Sequence, residues 1–316
     1  MNRALLGFRL GWRVLPHLPE PAVLAVAEAV AARLARAGGD RVAQYRRSLA
    51  RVRPDLPPDE VDHLLTAGLR AYARYWVDLF RLPAWSGRRV DVTVVAHGDA
   101  AVRTILAEGR GVVAALPHQG NWDQAGAWAA RHLGPVLTVA ERLEPPELYR
   151  EFVAQRARLG IEVLPLGDAG TTATLLRRLR SGQFVALLGD RDLGGDGVPV
   201  DFGGAPARIP AGPAWLALAS GAALVVVGLR TEPLPRRDPA RRTGARWRLH
   251  LTFTAPLEPV DAPRREQVGG LTQQVADELA AAVRRSPADW HVLQPFFHDD
   301  PEDGARGPGP EPGRVP

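Results

Sequence analysis

The chain of 316 residues has no cysteine, which excludes a disulfide framework, thiolate metal sites and a cysteine nucleophile. It has no lysine either: all 40 basic residues are arginine, and its one methionine is Met1. No apolar run reaches the ~20 residues that a membrane-spanning helix requires. The longest, Ala22 to Ala37, is broken by Glu28, Arg33 and Arg36. Internal repeats, a secretion signal and a nucleophile-elbow sequence are also missing.

What is present is the balance of an ordinary globular protein, 46% hydrophobic and 24% charged, on a chain long enough to bury a core. The charge is uneven. Residues 1–53 carry ten arginines against Glu20, Glu28 and Asp40, a net of +7, and the remainder of the chain has a net of −2. Such asymmetry implies a polyanionic partner at that end. Leu5, Leu6, Phe8, Leu10, Trp12, Val14 and Leu15 are interleaved there with Arg3, Arg9 and Arg13, the composition of a segment lying in a lipid interface. Residues 1–55 are therefore expected to form basic amphipathic helices facing an anionic membrane surface, with no nucleic-acid partner. Ala22 to Ala37 also fits a core helix with a solvated arginine face.

Apolar spacing of i, i+3, i+4 and i+7 predicts a long helix over Val61 to Phe80. Beyond Pro83, Val90 to Val95 reads as a strand and Ala100 to Glu108 as a helix. An alternating series follows: strands at Gly111–Leu116, Val136–Ala140, Ile161–Leu164, Phe184–Leu188 and Ala223–Leu229. Helices fall at Trp122–His132, Pro146–Leu159, Thr171–Arg180 and Pro213–Ala219, with a Gly-rich loop after Leu188. Arg246–Thr254 reads as an edge strand and Glu266–Arg285 as the closing helix. The pattern predicts an α/β domain over residues 56–298, a largely parallel central sheet flanked by helices, with residues 299–316 as a disordered tail.

Ligands of such sheets bind beyond the carboxyl ends of the strands. At four of those ends stand His118, Glu141, Asp168 and the run Asp190-Arg191-Asp192. The richest segment is His118-Gln119-Gly120-Asn121-Trp122-Asp123. With Asn121 as helix N-cap and a tight turn at Gly120, His118 can fold back on Asp123, leaving its Nε2 free as a general base. Backbone amides near Gly120, or Arg191, are candidates to stabilise an oxyanion. Arg156 suits either a phosphate or an ion pair with Glu151 or Glu144. His97, His132 and His250 show no partner pattern.

The block Leu116-Pro117-His118-Gln119-Gly120-Asn121-Trp122-Asp123 resembles the first motif of the lipid A late acyltransferases, within the wider lysophospholipid acyltransferase superfamily. Asp190-Arg191-Asp192-Leu193, Val200-Asp201-Phe202 and Pro210-Ala211-Gly212-Pro213-Ala214 resemble its later block, with Gly203 standing where a second aromatic is expected. Ala71–Trp76, Phe80–Pro83 and the ending Pro287–Pro295 are similar to the actinobacterial phosphatidylinositol mannoside acyltransferases. The resemblance implies an O-acyltransferase that moves a fatty acyl chain, palmitoyl by preference, from acyl-CoA to a mannose hydroxyl of a phosphatidylinositol mannoside. It further implies peripheral attachment at the cytoplasmic face of the plasma membrane.

Carried onto these residues, the resemblance makes His118 the base. Asp123 and Asp192 compete to pair with it, Asp192 being favoured, and Glu141 and Arg156 stand around the same cleft. Asp190, Arg191 and Asp168 join them as substrate-binding candidates. No metal and no cofactor beyond the acyl-CoA co-substrate is expected, and nothing in the sequence fixes an oligomeric state. A second reading is a metal-dependent glycosyltransferase using Asp190 and Asp192. A third is an acyltransferase of lipid A type with another glycolipid acceptor, and a fourth a basic non-enzymatic adaptor.

Overall fold

Five α-helices precede the first strand in the computed structural model, which describes residues 3–298 except residue 193. The expected tail from Asp299 lies outside the described residues, as does Leu193. Helices α1 (Arg3–Val14), α2 (Glu20–Ala37) and α3 (Asp40–Val52) lean on α4 (Pro58–Arg81). The 24 residues of α4 make a rod roughly 36 Å long at 1.5 Å per residue, begun by Pro58 at a position whose N–H has no helical partner. Tyr45 and Leu49 of α3 pack on Val61, Leu65 and Leu69 of α4. Gly68 lets Tyr45 in: a Cβ there would meet the phenol oxygen at 2.3 Å.

The stretch expected as a strand at Val90–Val95 divides between two elements. Ser86 accepts a hydrogen bond from the Arg89 N–H (3.2 Å) and so starts the short helix α5 (Gly87–Thr93), leaving only β1 (Val94–His97) extended. Then follow α6 (Asp99–Ala107), β2 (Val112–Leu116), α7 (Trp122–His132), β3 (Val136–Ala140), α8 (Pro146–Arg158), β4 (Ile161–Pro165), α9 (Thr171–Arg180) and β5 (Phe184–Leu188), close to the bounds expected from the sequence.

The Gly-rich loop after β5 contains a hairpin, β6 (Val198–Asp201) and β7 (Pro206–Ile209). Gly203 and Gly204 turn it at φ of +68° and +98°, so the departure from an aromatic at 203 follows from a turn that needs left-handed backbone twice over. Helix α10 (Gly212–Ser220), strand β8 (Ala223–Pro233), strand β9 (Trp247–Phe253) and helix α11 (Arg264–Arg285) complete the domain. Strand β8 thus runs on past Leu229, where the sequence pattern ends it, to Pro233.

The main sheet has the order β1-β9-β8-β2-β5-β3-β4. Strands β8, β2, β5, β3 and β4 run parallel, β9 is antiparallel to β8, and β1 runs with β9. Strand β9 is therefore internal, not an edge, because β1 covers its outer side. Strand β2 is buried along its whole length, with its alternate residues serving two cores. Val113 and Ala115 face α9, α10 and α11, while Val112, Ala114 and Leu116 face α5 and α7. β2 pairs with β5 from Val112↔Phe184 to Leu116↔Leu188. His118 and Asp190 both stand two residues beyond that last pair. One sheet edge receives them side by side.

Candidate active site

His118 and Asp190 are in direct contact, Nδ1 to Oδ1 at 2.5 Å, and the other carboxylate oxygen accepts the backbone N–H of His118 at 2.9 Å. The indole N–H of Trp290 donates to that same oxygen at 2.9 Å. Asp190 is fully buried, which by itself pushes its carboxyl up. The charge of His118 and the donors from His118 and Trp290 outweigh burial, and the net shift is downward. An ionised carboxylate can only accept, so the proton on Nδ1 belongs to the imidazole, and Nε2 is left as the basic nitrogen. Among the described residues nothing bonds to Nε2, and the ring keeps 14% of its surface exposed.

The loop carrying His118 is clamped from the C-terminal side. Gly120, at φ +59°, donates its N–H to Asp289 O (2.8 Å), and His291 N–H donates to His118 O (2.7 Å). Trp290, with no exposed surface, receives the Tyr45 hydroxyl on its carbonyl at 2.7 Å. The side chain of Gln119 accepts from Leu229 N–H and donates to the carbonyls of Ala282 and Ser286, each at 3.1 Å. A line of support therefore runs from α4 through Gly68, Tyr45 and Trp290 to Asp190 and His118. Asn121 caps α7 as expected, accepting the Gln124 N–H at 2.9 Å.

The partner of His118 is thus Asp190, neither Asp123 nor Asp192. Asp123 is occupied elsewhere. It takes Arg156 Nε at 2.7 Å and the Tyr75 hydroxyl at 3.0 Å, with 2% of its side chain exposed. Burial alone would lower the Arg156 pKa, but Asp123 more than reverses it. Arg156 therefore pairs with neither Glu151 nor Glu144, and Glu151 meets Arg9 of α1 instead (2.9 Å). The Asp123 group still adjoins the base: the Tyr75 ring lies 4.1 Å from that of Trp122, whose centroid is 5.4 Å from His118.

Asp192 closes the following loop by accepting the N–H groups of Gly195 (2.9 Å) and Gly197 (3.0 Å), with Arg208 at 3.8 Å. Asp190 is thus bound to His118 and Trp290, and Asp192 to two amides of its own loop. Among the described residues no three His, Asp or Glu groups converge as a metal site. Glu141 and Asp168 are exposed, the latter paired with Arg142 at 2.5 Å, and neither joins the cluster. The Gly120 amide is taken by Asp289, the His118 amide by Asp190 and the Gln119 amide by Pro117 O. Unpartnered donors on residues near the dyad in sequence are the guanidinium of half-buried Arg191, which has no ion-pair partner among the described residues, and the buried indole N–H of Trp122 and side-chain amide of Asn121.

Histidines read as lacking partners do have them. His97 Nε2 lies 3.1 Å from His250 Nδ1, and His132 meets Asp91 at 2.9 Å. Trp290, Tyr75 and Tyr45 fell within no catalytic motif, and only the resemblance over Pro287–Pro295 pointed to the first.

An aromatic cluster flanks the base. Phe8 and Trp12 of α1, Tyr72, Tyr75 and Trp76 of α4, and Leu148 and Phe152 of α8 pack with Trp122. The histidine–carboxylate pair thus stands at the strand ends beside an apolar cluster. The family described as "Bacterial lipid A biosynthesis acyltransferase" matches residues 6–299. The chain belongs to that family. Its activity class is that of an O-acyltransferase. It is 42% identical over 307 residues to a phosphatidylinositol mannoside acyltransferase of Mycolicibacterium smegmatis, covering 95% of this chain and 93% of the relative. Phosphatidylinositol mannoside acyltransferases of two strains of Mycobacterium tuberculosis are each 39% identical, covering 95% of this chain and 90% of theirs.

Proposed function

We propose that this acyltransferase moves a palmitoyl group from acyl-CoA to a mannose hydroxyl of a phosphatidylinositol mannoside. The observation that carries the chemistry is the free Nε2 of His118, opposite a nitrogen whose proton Asp190 holds. The sugar hydroxyl attacks the thioester carbonyl carbon while Nε2 takes its proton. Arg191 and the Trp122 N–H stabilise the oxyanion of the tetrahedral intermediate. Its collapse breaks the C–S bond, and the departing thiolate of CoA recovers the proton from His118. No enzyme nucleophile takes part. Asp123, Arg156 and Tyr75 hold Trp122 and the start of α7 in place. The acceptor is inferred from what the relatives are named for. Wild-type protein given palmitoyl-CoA and mannosylated phosphatidylinositol is expected to yield, by mass spectrometry, an acceptor heavier by one palmitoyl group, with or without EDTA. Loss of transfer in EDTA, or transfer only to a different glycolipid, overturns this reading.

The same reading places the protein peripherally on the cytoplasmic face of the plasma membrane. No helix among the described residues is long and apolar enough to cross a bilayer. On α1, Leu6, Leu10 and Val14 are 42–50% exposed at i, i+4 and i+8, and on α2, Val26, Val30 and Leu34 repeat that spacing at 52–65%. Such stripes beside the +7 charge of residues 1–53 suit insertion at an anionic lipid surface. Leu10→Glu combined with Val30→Glu is expected to weaken binding to phosphatidylglycerol vesicles about tenfold or more, since each lost apolar contact is worth roughly 1.5–3 kcal/mol. Unaltered co-sedimentation would remove these helices from the membrane surface.

A further inference from the structure

A cleft of about 350 Å³ opens between α2, α4 and the end of β8, lined among others by Glu28, Arg70, Arg74, Thr231, Trp247 and Ser286. It shares Arg74, Thr231, Trp247 and Asp289 with a narrower crevice, which has room for about 30 Å³ and reaches Gly120, Asn121 and His291 behind the catalytic loop. The polar groups of this cleft and crevice are unevenly satisfied. The carboxylates are engaged: Glu28 faces Arg74 at 3.8 Å, and Glu20 meets Arg89 at 2.6 Å. Asp289 accepts Thr231 N–H at 2.7 Å and the Ser286 hydroxyl at 3.1 Å. Asp78, pushed up to about 7 by burial beside Glu20, is only about half ionised near neutrality.

Four N–H groups of the crevice lack partners, although Arg89 and Arg248 pair through their other nitrogens with Glu20 and Asp238. Trp85 Nε1, Arg89 Nε, Asn121 Nδ2 and Arg248 Nε, all on residues lining the crevice, are buried with no partner among the described residues. Asn121 and Arg89 are 5% and 8% exposed. Arg74 is largely buried with its guanidinium 3.8 Å above the Trp247 ring, and Arg70, one helical turn away, has no ion-pair partner among the described residues. His291 Nδ1, on a further residue of the crevice, is likewise buried without a hydrogen-bond partner among the described residues. A chamber with surplus N–H groups and cations is complementary to a ligand made of acceptor oxygens.

We propose that this cleft binds a phosphate group of a substrate, with Arg70 at the mouth and Arg74 within. Occupancy reaches the base through Asn121 and His291, which belong to the His118 loop and the segment that clamps it. The proposal rests on the acyl-transfer reading, in which both substrates carry phosphate: the donor on its CoA, the acceptor as a phosphodiester. Arg70 is exposed, so its replacement leaves the fold intact.

The experiment compares wild type, Arg70→Ala and Arg70→Glu with four substrates. These are palmitoyl-CoA and phosphate-free palmitoyl pantetheine as donors, and mannosylated phosphatidylinositol and a phosphate-free alkyl mannoside as acceptors. For one phosphate-bearing substrate, KM is expected to rise about tenfold with Ala and further with Glu, at similar kcat. Its advantage over the phosphate-free analogue shrinks by the same factor. A rise confined to the donor assigns the site to CoA; one confined to the acceptor assigns it to the lipid phosphodiester. Equal effects on phosphate-bearing and phosphate-free partners, or none, overturn the proposal. Calorimetry with pyrophosphate gives a readout independent of turnover. Binding that Arg70→Glu abolishes supports the site even if wild type acylates no mannolipid, which would count against the function alone; no binding by wild type counts against the site.

Discussion

Asp190→Asn is expected to lower kcat for palmitoyl transfer by roughly 10²–10⁴-fold, close to the loss from His118→Ala, because either change deprives the reaction of a basic Nε2. An amide at 190 no longer requires a proton on Nδ1. Its N–H₂ can donate to Nδ1 instead, which moves the imidazole proton to Nε2 and blocks the nitrogen that must accept. Binding of either substrate should change little, since Asp190 is fully buried and its hydrogen bonds among the described residues go to His118 and Trp290. Asp192→Asn supplies the control. Its carboxylate caps Gly195 and Gly197, so its loss should loosen that loop and cost less than tenfold in kcat, about 1.4 kcal/mol. Steady-state kinetics on purified variants decides the matter. A loss at Asp192 matching that at His118, with Asp190→Asn nearly active, would assign the dyad to the other carboxylate.

The fold was largely legible because parallel strands buried on both faces read as short apolar runs between helices. The bounds of α7, β3, α9 and β5 follow directly from that pattern. His118, the N-cap at Asn121 and the turn at Gly120 were legible too, since each depends only on neighbours in sequence. Partner choice was not. His118 and Asp190 meet because β2 and β5 are adjacent and aligned Leu116↔Leu188, and adjacency is a property of the sheet, not of either strand. Once that register is known, an equal offset of two residues selects Asp190 and passes over Asp192. Asp123, close in sequence, is drawn the other way by Arg156 and Tyr75, which arrive from α8 and α4. The strand expected at Val90–Val95 failed for a related reason. Its Val-x-Val alternation suits a strand, but Ser86 starts a helix and Arg89 is held by Glu20 of α2.

That last contact carries the largest expected effect on stability. Glu20, Arg81 and Arg89 are 7–8% exposed. The Glu20 carboxylate lies 2.6 Å from Arg89 and 3.6 Å from Arg81. Arg81 also donates to the carbonyls of Leu15 and Leu18, the corner between α1 and α2. Glu20→Ala leaves the buried Arg81 and Arg89 guanidinium groups facing only Asp78, which ionises more readily once Glu20 is gone, so the loss falls at or below the ~3–5 kcal/mol of a broken buried pair. For a chain of this size that corresponds to a fall in Tm of at most roughly 5–8 °C. Glu20→Gln keeps the shape and one acceptor, so its smaller fall would separate charge from packing. Because α1 supplies Phe8 and Trp12 to the aromatic cluster beside Trp122, freeing its corner should also raise KM for a palmitoyl donor more than for an acetyl donor, which does not reach that wall. Calorimetry and a donor-length series check both consequences. A Glu20→Ala protein as stable as wild type would show that Asp78 and water, not Glu20, balance the two arginines.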